Sequence, residues 1–322
     1  MILEGGARMK TGIFTAAFPK LSLVQVAQWA SEVGFQALEI ACWPAGEEKD
    51  RKYGGVVHID VKSLTPAKAQ EINGMLSAKG LVVSSLGYYP NPLHPDKEIR
   101  EHSIEHLKRV IAGASMLGVG VVGTFVGRTW NAEITGREWQ KDIDLNFELF
   151  RKIWPDLVKY AVDKGVKIAI EHCPMLWPDT WPGGSNLPYS PALIRRMFEI
   201  LPNKNFGLNF DPSHFIWLHI DYIRFIYEFK ERIFHVHAKD MDIDRDMLYE
   251  DGIVTCGFRW QRPRLPGMGL VDWKRLLTAL YDVGYAHVVS IEHEDRSFEG
   301  TEDLVKKGFL IAKRTLDLHL NV

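Results

Sequence analysis

The chain has 322 residues, of which 46% are hydrophobic and 25% are charged, and its 39 Lys and Arg residues against 41 Asp and Glu residues give a formal net charge of −2. This balance gives no support for a nucleic-acid partner, because proteins that grip nucleic acid usually carry a basic excess. The sequence contains no run of about 18 apolar residues, so we expect no membrane partner either.

Three cysteines, Cys42, Cys173 and Cys256, lie far apart along the chain. Their odd number and wide spacing argue against a disulfide framework and against a Cys-type zinc site. The first ten residues, MILEGGARMK, contain no apolar core of a signal peptide. We therefore expect a cytoplasmic protein in which residues 1–8 form a disordered extension and residues 9–322 form one domain.

Short apolar runs alternate with segments of helical spacing along the whole sequence. The apolar runs, which predict strands, cover residues 12–18, 37–43, 81–89, 119–127, 166–172, 206–211, 232–240 and 287–295. The helical segments cover residues 22–34, 65–80, about 98–117, about 145–164, 190–201, about 220–229, 271–284 and 300–318. Eight strands in strict alternation with eight helices predict an α/β fold, a closed (β/α)8 TIM barrel in a single domain. The longest irregular stretches, residues 90–97, 173–189 and 241–270, all follow strand ends.

Carboxylates and imidazoles stand at the ends of the last four predicted strands. The fifth ends in Glu171 and His172, the sixth in Asp211 with His214 beyond it, the seventh in His235 and His237, and the eighth in Glu292, His293 and Glu294. One such residue alone is more often a surface ion pair or a packed core group. Four neighbouring ends of a barrel converge on one mouth, where clustered carboxylates repel each other unless a cation joins them. Oxygen ligands with one imidazole favour Mn²⁺, Mg²⁺ or Co²⁺, with Zn²⁺ as a further possibility.

The segments IAIEH, FGLNFDPSH, RIFHVHAKD, LPGMGLVDWKRLL and VVSIEHED resemble the sugar phosphate isomerase/epimerase family of xylose isomerase-like barrels. That family includes the D-tagatose and D-psicose 3-epimerases and inosose isomerases and dehydratases. The resemblance implies that Glu171, Asp211, His237 and Glu292 bind the metal and that His214 contacts the substrate. It also implies that Glu171 and Glu292 are the pair of proton-transfer residues.

One family position departs from the pattern. The family has an arginine six residues after the histidine ligand, where this chain has Ile243. Arg245, Arg259, Arg262 or Arg264 could substitute for it, and we expect Lys239, Arg128, Arg264 and the loop residue Trp177 to contact substrate.

Trp130, Trp181 and Trp260 make these loops aromatic, which suits either sugar binding or loop anchoring. Endonuclease IV, in the same superfamily, needs further histidines after strands three and four. This chain has SSLGYYPNP and TFVGRTW there, without a histidine, so we do not expect a DNA-repair enzyme.

These observations predict a divalent-metal-dependent epimerase or isomerase of a keto-sugar or related polyol, working through an enediolate with two glutamates as acid and base. A lyase or dehydratase acting on a 3-keto-glycoside or inosose stays open, because it shares the first proton transfer. A sugar-binding barrel without activity is a third reading. We expect a small-molecule sugar substrate, without a phosphate group, and a homodimer or homotetramer. Glu39 could bond a sugar hydroxyl or cap a loop, and His172 and His235 could support the ligands or pack.

Overall fold

The computed structural model describes residues 8–46, 52–130, 138–175, 184–253 and 259–320. Within these ranges a closed parallel barrel is formed by β1 (Lys10–Phe14), β2 (Ala37–Ala41), β3 (Val82–Gly87), β4 (Val121–Thr124), β5 (Lys167–Glu171), β6 (Phe206–Phe210), β7 (Ile233–Ala238) and β10 (Val288–Ile291). The strands follow each other around the ring in chain order, and β10 closes the ring by pairing with β1. The predicted (β/α)8 TIM barrel is confirmed. The disordered extension predicted for residues 1–8 lies outside the described residues except for Arg8.

The helices of the described residues are α1 (Leu23–Glu32), α2 (Pro66–Ala78), α3 (Lys97–Leu117), α4 (Trp139–Asp163), α5 (Pro191–Ile200), α6 (Pro212–Trp217), α7 (Tyr222–Phe229), α8 (Arg245–Asp251), α9 (Trp273–Asp282) and α10 (Glu302–Leu320). Short polar side chains begin several of them. Ser22 caps α1 in a reciprocal pair with Gln25, and Thr65 accepts the Lys68 N–H ahead of Pro66. Among these helices, none has the length and apolar composition that a bilayer crossing requires.

The barrel strands are buried along almost their whole length, as expected when helices cover the outside of the sheet and side chains fill the inside. The inside of the barrel is also partly polar. Glu39, Asn209 and His235 are all fully buried there. Buried polar groups of this kind need partners, and the arrangement of those partners determines the geometry of the barrel mouth.

The stretch 241–270 is more ordered than the sequence indicated. It contains α8 and an antiparallel hairpin of β8 (Asp240–Ile243) and β9 (Gln261–Arg264), which lies outside the barrel. Met241 and Ile243 pack with Trp217 and Trp260 in a small separate core. Strand β9 was not predicted because it contains Pro263, and proline is tolerated only in strands at the edge of a sheet. Two other helices also differ: α4 begins at Trp139 instead of about residue 145, and α6 was not predicted.

Candidate metal centre

Four ligand-type side chains meet at the C-terminal mouth of the barrel. Glu171 ends β5, Asp211 follows β6, His237 lies in β7 and Glu292 follows β10. One ligand atom from each lies within 4.8 Å of the others, and all four residues are buried. We call these residues the four-residue cluster. Parallel strands place their C-terminal ends on the same rim, which is why positions separated by up to 121 residues in the sequence (292 − 171) come together.

The segment FDPSH places two functional side chains in one turn. Asp211 caps the short helix α6, and its Oδ1 atom accepts the Ser213 N–H at 2.8 Å. That bond leaves Oδ2 for the cluster. His214, within the same turn, puts Nε2 3.1 Å from Glu171 Oε1 and 3.2 Å from Asp211 Oδ2. The spacing of three residues between Asp211 and His214 is therefore that of a helix start facing the barrel mouth.

Glu39 fixes the orientation of the histidine in the cluster. The Nε2 atom of His237 lies 2.7 Å from Glu39 Oε2 and donates to it. The other ring nitrogen, Nδ1, lies 3.3 Å from Glu292 Oε2 and 3.6 Å from Glu171 Oε2. A carboxylate on the far nitrogen of a histidine is the usual support for a metal ligand. The contact of Glu39 is therefore with a histidine of the cluster, an arrangement that the sequence analysis had not considered beside the sugar contact and the loop cap.

Further hydrogen bonds hold Glu39 in place across the barrel interior. The Tyr89 hydroxyl donates to Glu39 Oε1 at 2.6 Å, and the Asn209 amide donates to the Tyr89 hydroxyl at 3.0 Å. His235 donates from Nδ1 to Asn209 Oδ1 at 3.0 Å, and its Nε2 lies 3.1 Å from the hydroxyl of Ser84. Tyr89, Asn209 and Ser84 were not predicted from the sequence. The available signal was polar residues inside otherwise apolar strands.

Lys239 lies among the carboxylates of the site. Its Nζ atom lies 3.0 Å from Asp211 Oδ2, 2.6 Å from Glu292 Oε2 and 3.2 Å from Glu294 Oε2. Burial alone would lower the pKa of Lys239, but the charges of Asp211 and Glu292 raise it well above its ordinary value. The side chain is therefore held as an ammonium in the barrel mouth, in the position where a substrate oxygen could reach it.

The carboxylates of the site have different electrostatic environments. Burial and the nearby charge of Glu292 raise the pKa of Glu171. Burial would also raise the pKa of Glu292, but the charges of Lys239 and His237 outweigh it and lower that pKa to about 2. For Asp211, the charges of Lys239 and His214 likewise outweigh burial and lower the pKa.

The donor set fits one divalent cation. Three carboxylates and one imidazole supply hard oxygen atoms and a nitrogen, the set that Mn²⁺, Mg²⁺, Co²⁺ or Zn²⁺ accepts. Asp211 Oδ2 and His237 Nδ1 are both buried, and among the described residues neither atom forms a hydrogen bond of good geometry. The Lys239 ammonium and the His214 ring lie near Asp211 Oδ2, at 3.0 and 3.2 Å. Glu39, His235 and His237 form a second group of suitable spacing. Their atoms are already committed to each other and to Asn209 and Ser84.

Asp240, next to Lys239, turns away from the site. Its Oδ1 atom accepts the Val271 N–H at 2.9 Å, and its Oδ2 atom accepts the Gly267 N–H at 3.0 Å and the Trp273 indole N–H at 2.9 Å. The carboxylate therefore anchors the segment LPGMGLVDW before α9. Lys239, its neighbour in the chain, pairs instead with Asp211 and Glu292.

An aromatic cavity of about 210 Å³, which we call the mouth cavity, opens above the cluster. Its polar lining includes Glu171, His214, Lys239, Glu292 and Glu294. Its aromatic walls are Phe14, Trp43, Tyr53, Tyr89, Phe125 and Trp217. Among the described lining residues there is no arginine, so Lys239 and Lys52 supply the basic side chains of this cavity.

The two arginines predicted to bind substrate have other partners. Arg128 forms a buried ion pair with Asp142 and donates to the Gly184 carbonyl at 2.7 Å. Arg264 donates to Asp295 Oδ1 at 3.0 Å and to the Ser297 hydroxyl at 3.1 Å. Neither lines the mouth cavity, because carboxylates outside it take up both guanidinium groups. Their contact with substrate stays a prediction.

The predicted loop tryptophans do not form a common wall in the described structure. Trp177 and Trp181 lie outside the described residues. Trp130 packs edge-on against His94 at 5.1 Å, and Trp260 is buried against Trp217 beside the hairpin. Ile243, at the position of the family arginine, belongs to the same small core. His172 stacks on Phe215 at 4.1 Å, with its Nε2 accepting the Asp211 N–H.

Comparisons with known proteins agree with this architecture. An uncharacterized Bacillus subtilis protein, YfiH, is 26% identical over 312 residues, covering 89% of this chain and 93% of that protein. The structure of a D-psicose 3-epimerase has a TM-score of 0.67 at 15% identity, covering 98% of this chain and 100% of the epimerase. The IOLI protein, solved with a zinc atom, has a TM-score of 0.66 at 18% identity, with coverage of 98% and 100%. Residues 27–314 match the xylose isomerase-like TIM barrel family, and the chain belongs to that family.

Proposed function

We propose that this protein is a divalent-metal-dependent epimerase or isomerase that acts on a keto-sugar or related polyol. The observation that carries the proposal is the buried four-residue cluster with one ligand atom from each residue within 4.8 Å of the others. Two of its members, Glu171 and Glu292, stand at barrel strands three places apart around the ring. They can therefore reach a substrate from different sides.

Glu171, Asp211, His237 and Glu292 would hold the ion, which we propose to be Mn²⁺, with Mg²⁺, Co²⁺ and Zn²⁺ also suited to the donor set. When bound, it would stabilise the negative charge that develops on the substrate oxygen as the α-proton leaves. Glu39 supports the site by keeping His237 Nδ1 directed at the other ligands.

Glu171 and Glu292 carry the proton in this proposal. One carboxylate removes the α-proton of the keto-sugar, which gives an enediolate, and the other returns a proton to the opposite face, which inverts the carbon. Return to the neighbouring carbon would instead exchange aldose and ketose. His214, which contacts both Glu171 and Asp211, and Lys239, which lines the mouth cavity, bind substrate oxygen atoms. Lys239 thereby supplies the cation that the family arginine would provide.

A lyase or dehydratase acting on a 3-keto-glycoside or inosose is the second candidate. The observation that favours it is the Lys239–Glu294 contact of 3.2 Å, since Glu294 lies outside the four-residue cluster. An ammonium that keeps this partner could donate a proton to an oxygen leaving from the β-carbon. The enediolate would then collapse with loss of water or an alcohol instead of taking up a proton.

A screen of ketohexoses, 3-keto-glycosides and inososes, each with Mn²⁺, tests the proposal and separates the candidates. An epimerase or isomerase gives a product of unchanged mass in H₂O, and in D₂O its product carries solvent deuterium at the α-carbon. A lyase or dehydratase gives a product lighter by the water or alcohol that leaves. Binding of these compounds without exchange or product would contradict both and support a sugar-binding barrel.

The remaining expectations are part of the same proposal. The substrate is a small, unphosphorylated sugar, and the protein is a cytoplasmic homodimer or homotetramer. Light scattering coupled to size-exclusion chromatography measures the assembly directly. A monomer at working concentration would contradict that expectation and leave the catalytic proposal in place.

A further inference from the structure

A second cavity adjoins the mouth cavity on the barrel rim. It has a volume of about 340 Å³ and lies between the segments that follow β1 and β2 and the start of α10. We call it the rim cavity, and its walls include Phe18, Lys20, Tyr53, His293, Thr301 and Val305. It is larger than the mouth cavity, and nothing in the proposed proton transfer uses it.

The two cavities have a common partition. Lys52 and Tyr53 line both of them. The Tyr53 ring packs edge-on against Phe14 of the mouth cavity, with ring centres 5.6 Å apart, and its hydroxyl donates to the His293 carbonyl on the rim side. Tyr53 also has a φ of 67°, a left-handed conformation that residues other than glycine seldom adopt. Strained backbone that the surroundings hold in place is typical of binding sites.

The volumes indicate that one ligand could use both compartments. Ligand pockets usually measure about 300–1,000 Å³, and the mouth cavity of about 210 Å³ lies below that range. Joined to the rim cavity, it falls well within it. A substrate confined to the mouth would leave the larger compartment unexplained.

The chemistry of the rim cavity suits a neutral polyhydroxylated group. Lys20 and Lys52 are balanced by Glu299 and Glu302, and Lys52 is ion-paired with Glu299. This balance gives no net attraction for a phosphate or a carboxylate. The lining combines apolar side chains with polar ones, and a sugar ring likewise has apolar and polar surfaces. The apolar side chains are Phe18, Leu21 and Val305, and the polar ones are Lys20, Thr301 and Glu302.

We propose that the rim cavity is a subsite for the group attached to the reacting sugar, so that the substrate is a glycoside of about disaccharide size. The keto-sugar lies over the four-residue cluster, and its neutral sugar substituent passes Tyr53 into the rim cavity. This inference rests on the proposed function for the identity of the reacting unit, while the second compartment and its neutral lining are independent of it.

A filling substitution with a matched neighbour tests the subsite. Val305→Trp places an indole in the rim cavity, whereas Leu304→Trp puts the same group on the adjacent exposed position of α10, outside the lining. The substrates are methyl 3-keto-β-D-glucoside and cellobiose oxidised at C3 of its non-reducing unit. We expect Val305→Trp to lower kcat/KM for the disaccharide about tenfold or more, mainly through KM, and to leave the methyl glycoside within about twofold. Leu304→Trp should change neither.

Equal effects of Val305→Trp on both substrates, or no effect on either, would overturn the subsite. If Val305→Trp fails to fold, Ala17→Leu narrows the same cavity from the segment that follows β1, and the same pair of outcomes decides. Binding of unoxidised cellobiose and methyl β-D-glucoside, measured by calorimetry with Mn²⁺ present, separates this inference from the proposed function. If neither keto-substrate turns over but cellobiose binds more tightly and loses that advantage in Val305→Trp, the proposed function fails for 3-keto-glycosides and the subsite stands. Equal binding of the two probes overturns the subsite.

Discussion

Replacing Glu39 by Gln tests how the barrel interior prepares the metal centre. The carboxylate is fully buried, and its Oε2 atom accepts the Nε2–H of His237 at 2.7 Å. Glutamine keeps the size but removes the charge, and its amide can present an N–H group to the same ring nitrogen. The His237 ring would then lose the partner that keeps Nδ1 directed at Glu292 and Glu171. We expect weaker metal binding by a protein that still folds.

The size of the effect follows from what such supporting carboxylates contribute elsewhere. Their loss typically lowers metal affinity about 10–100-fold, which corresponds to about 1.4–2.7 kcal/mol. Calorimetric titration of chelator-treated protein with Mn²⁺ measures it, with circular dichroism as the check on folding. Tyr89→Phe removes the hydroxyl that bonds to Glu39 Oε1 and to the Asn209 amide, but it leaves the Glu39–His237 bond in place and should give a smaller loss. Glu32→Gln, on the surface of α1, should give none. An unchanged Mn²⁺ affinity in Glu39→Gln, together with a raised KM for sugar, would show that Glu39 serves the substrate instead.

The other predictions concern the cluster and its neighbours. His237→Ala should lose bound metal and activity together while the barrel folds, and full occupancy by elemental analysis would contradict the ligand assignment. Lys239→Met should lower the unfolding free energy of the metal-free protein by about 3–5 kcal/mol, because Asp211 and Glu292 lose their buried cationic partner. Added Mn²⁺ should restore much of this loss in thermal melts, and equal melting of the variant and the wild type without metal would refute the reasoning. Burial, aided by the charge of His214, lowers the pKa of His172 to about 3. Since an unfolded histidine titrates near 6.5, this residue should lower the unfolding free energy by about 1.4 kcal/mol per pH unit as the pH falls from 6.5 towards 3. Denaturation of His172→Gln across that range should show a shallower slope, and identical slopes would contradict the prediction.

The sequence allowed the barrel, and the meeting of the four cluster residues at one rim, to be predicted because both depend on where strands begin and end. Alternating apolar and helical segments reveal the strands, and parallel strands bring their C-terminal ends to one rim. Glu171, Asp211 and Glu292 could therefore be placed together without coordinates. The helix-start geometry of Asp211 and His214 is also encoded locally, in the order Asp-Pro-Ser-His.

The support of the site could not be predicted, because it depends on pairings across the barrel. Glu39 and His237 are 198 positions apart, and no local pattern indicates which interior polar groups will meet. The partners of the two arginines could not be predicted for the same reason. Arg128 looked available for substrate until the structure showed Asp142 buried beside it, and Arg264 until Asp295 was found at 3.0 Å. The sequence showed which side chains carry charge, but only the packing determines which charges remain in the cavity.

Hydrogen exchange at the α-carbon of the substrate tests the two-glutamate mechanism most directly. Each epimer of a converted keto-sugar is incubated in D₂O with Mn²⁺ and with wild type, Glu171→Gln or Glu292→Gln, and deuterium is followed by NMR. An amide cannot accept the proton, so each variant should lose about 10²–10⁴-fold in epimerisation. Each should still exchange the α-proton of one epimer, Glu171→Gln of one and Glu292→Gln of the other. Equal exchange of both epimers by each variant, or near-normal epimerisation in either, would contradict the mechanism.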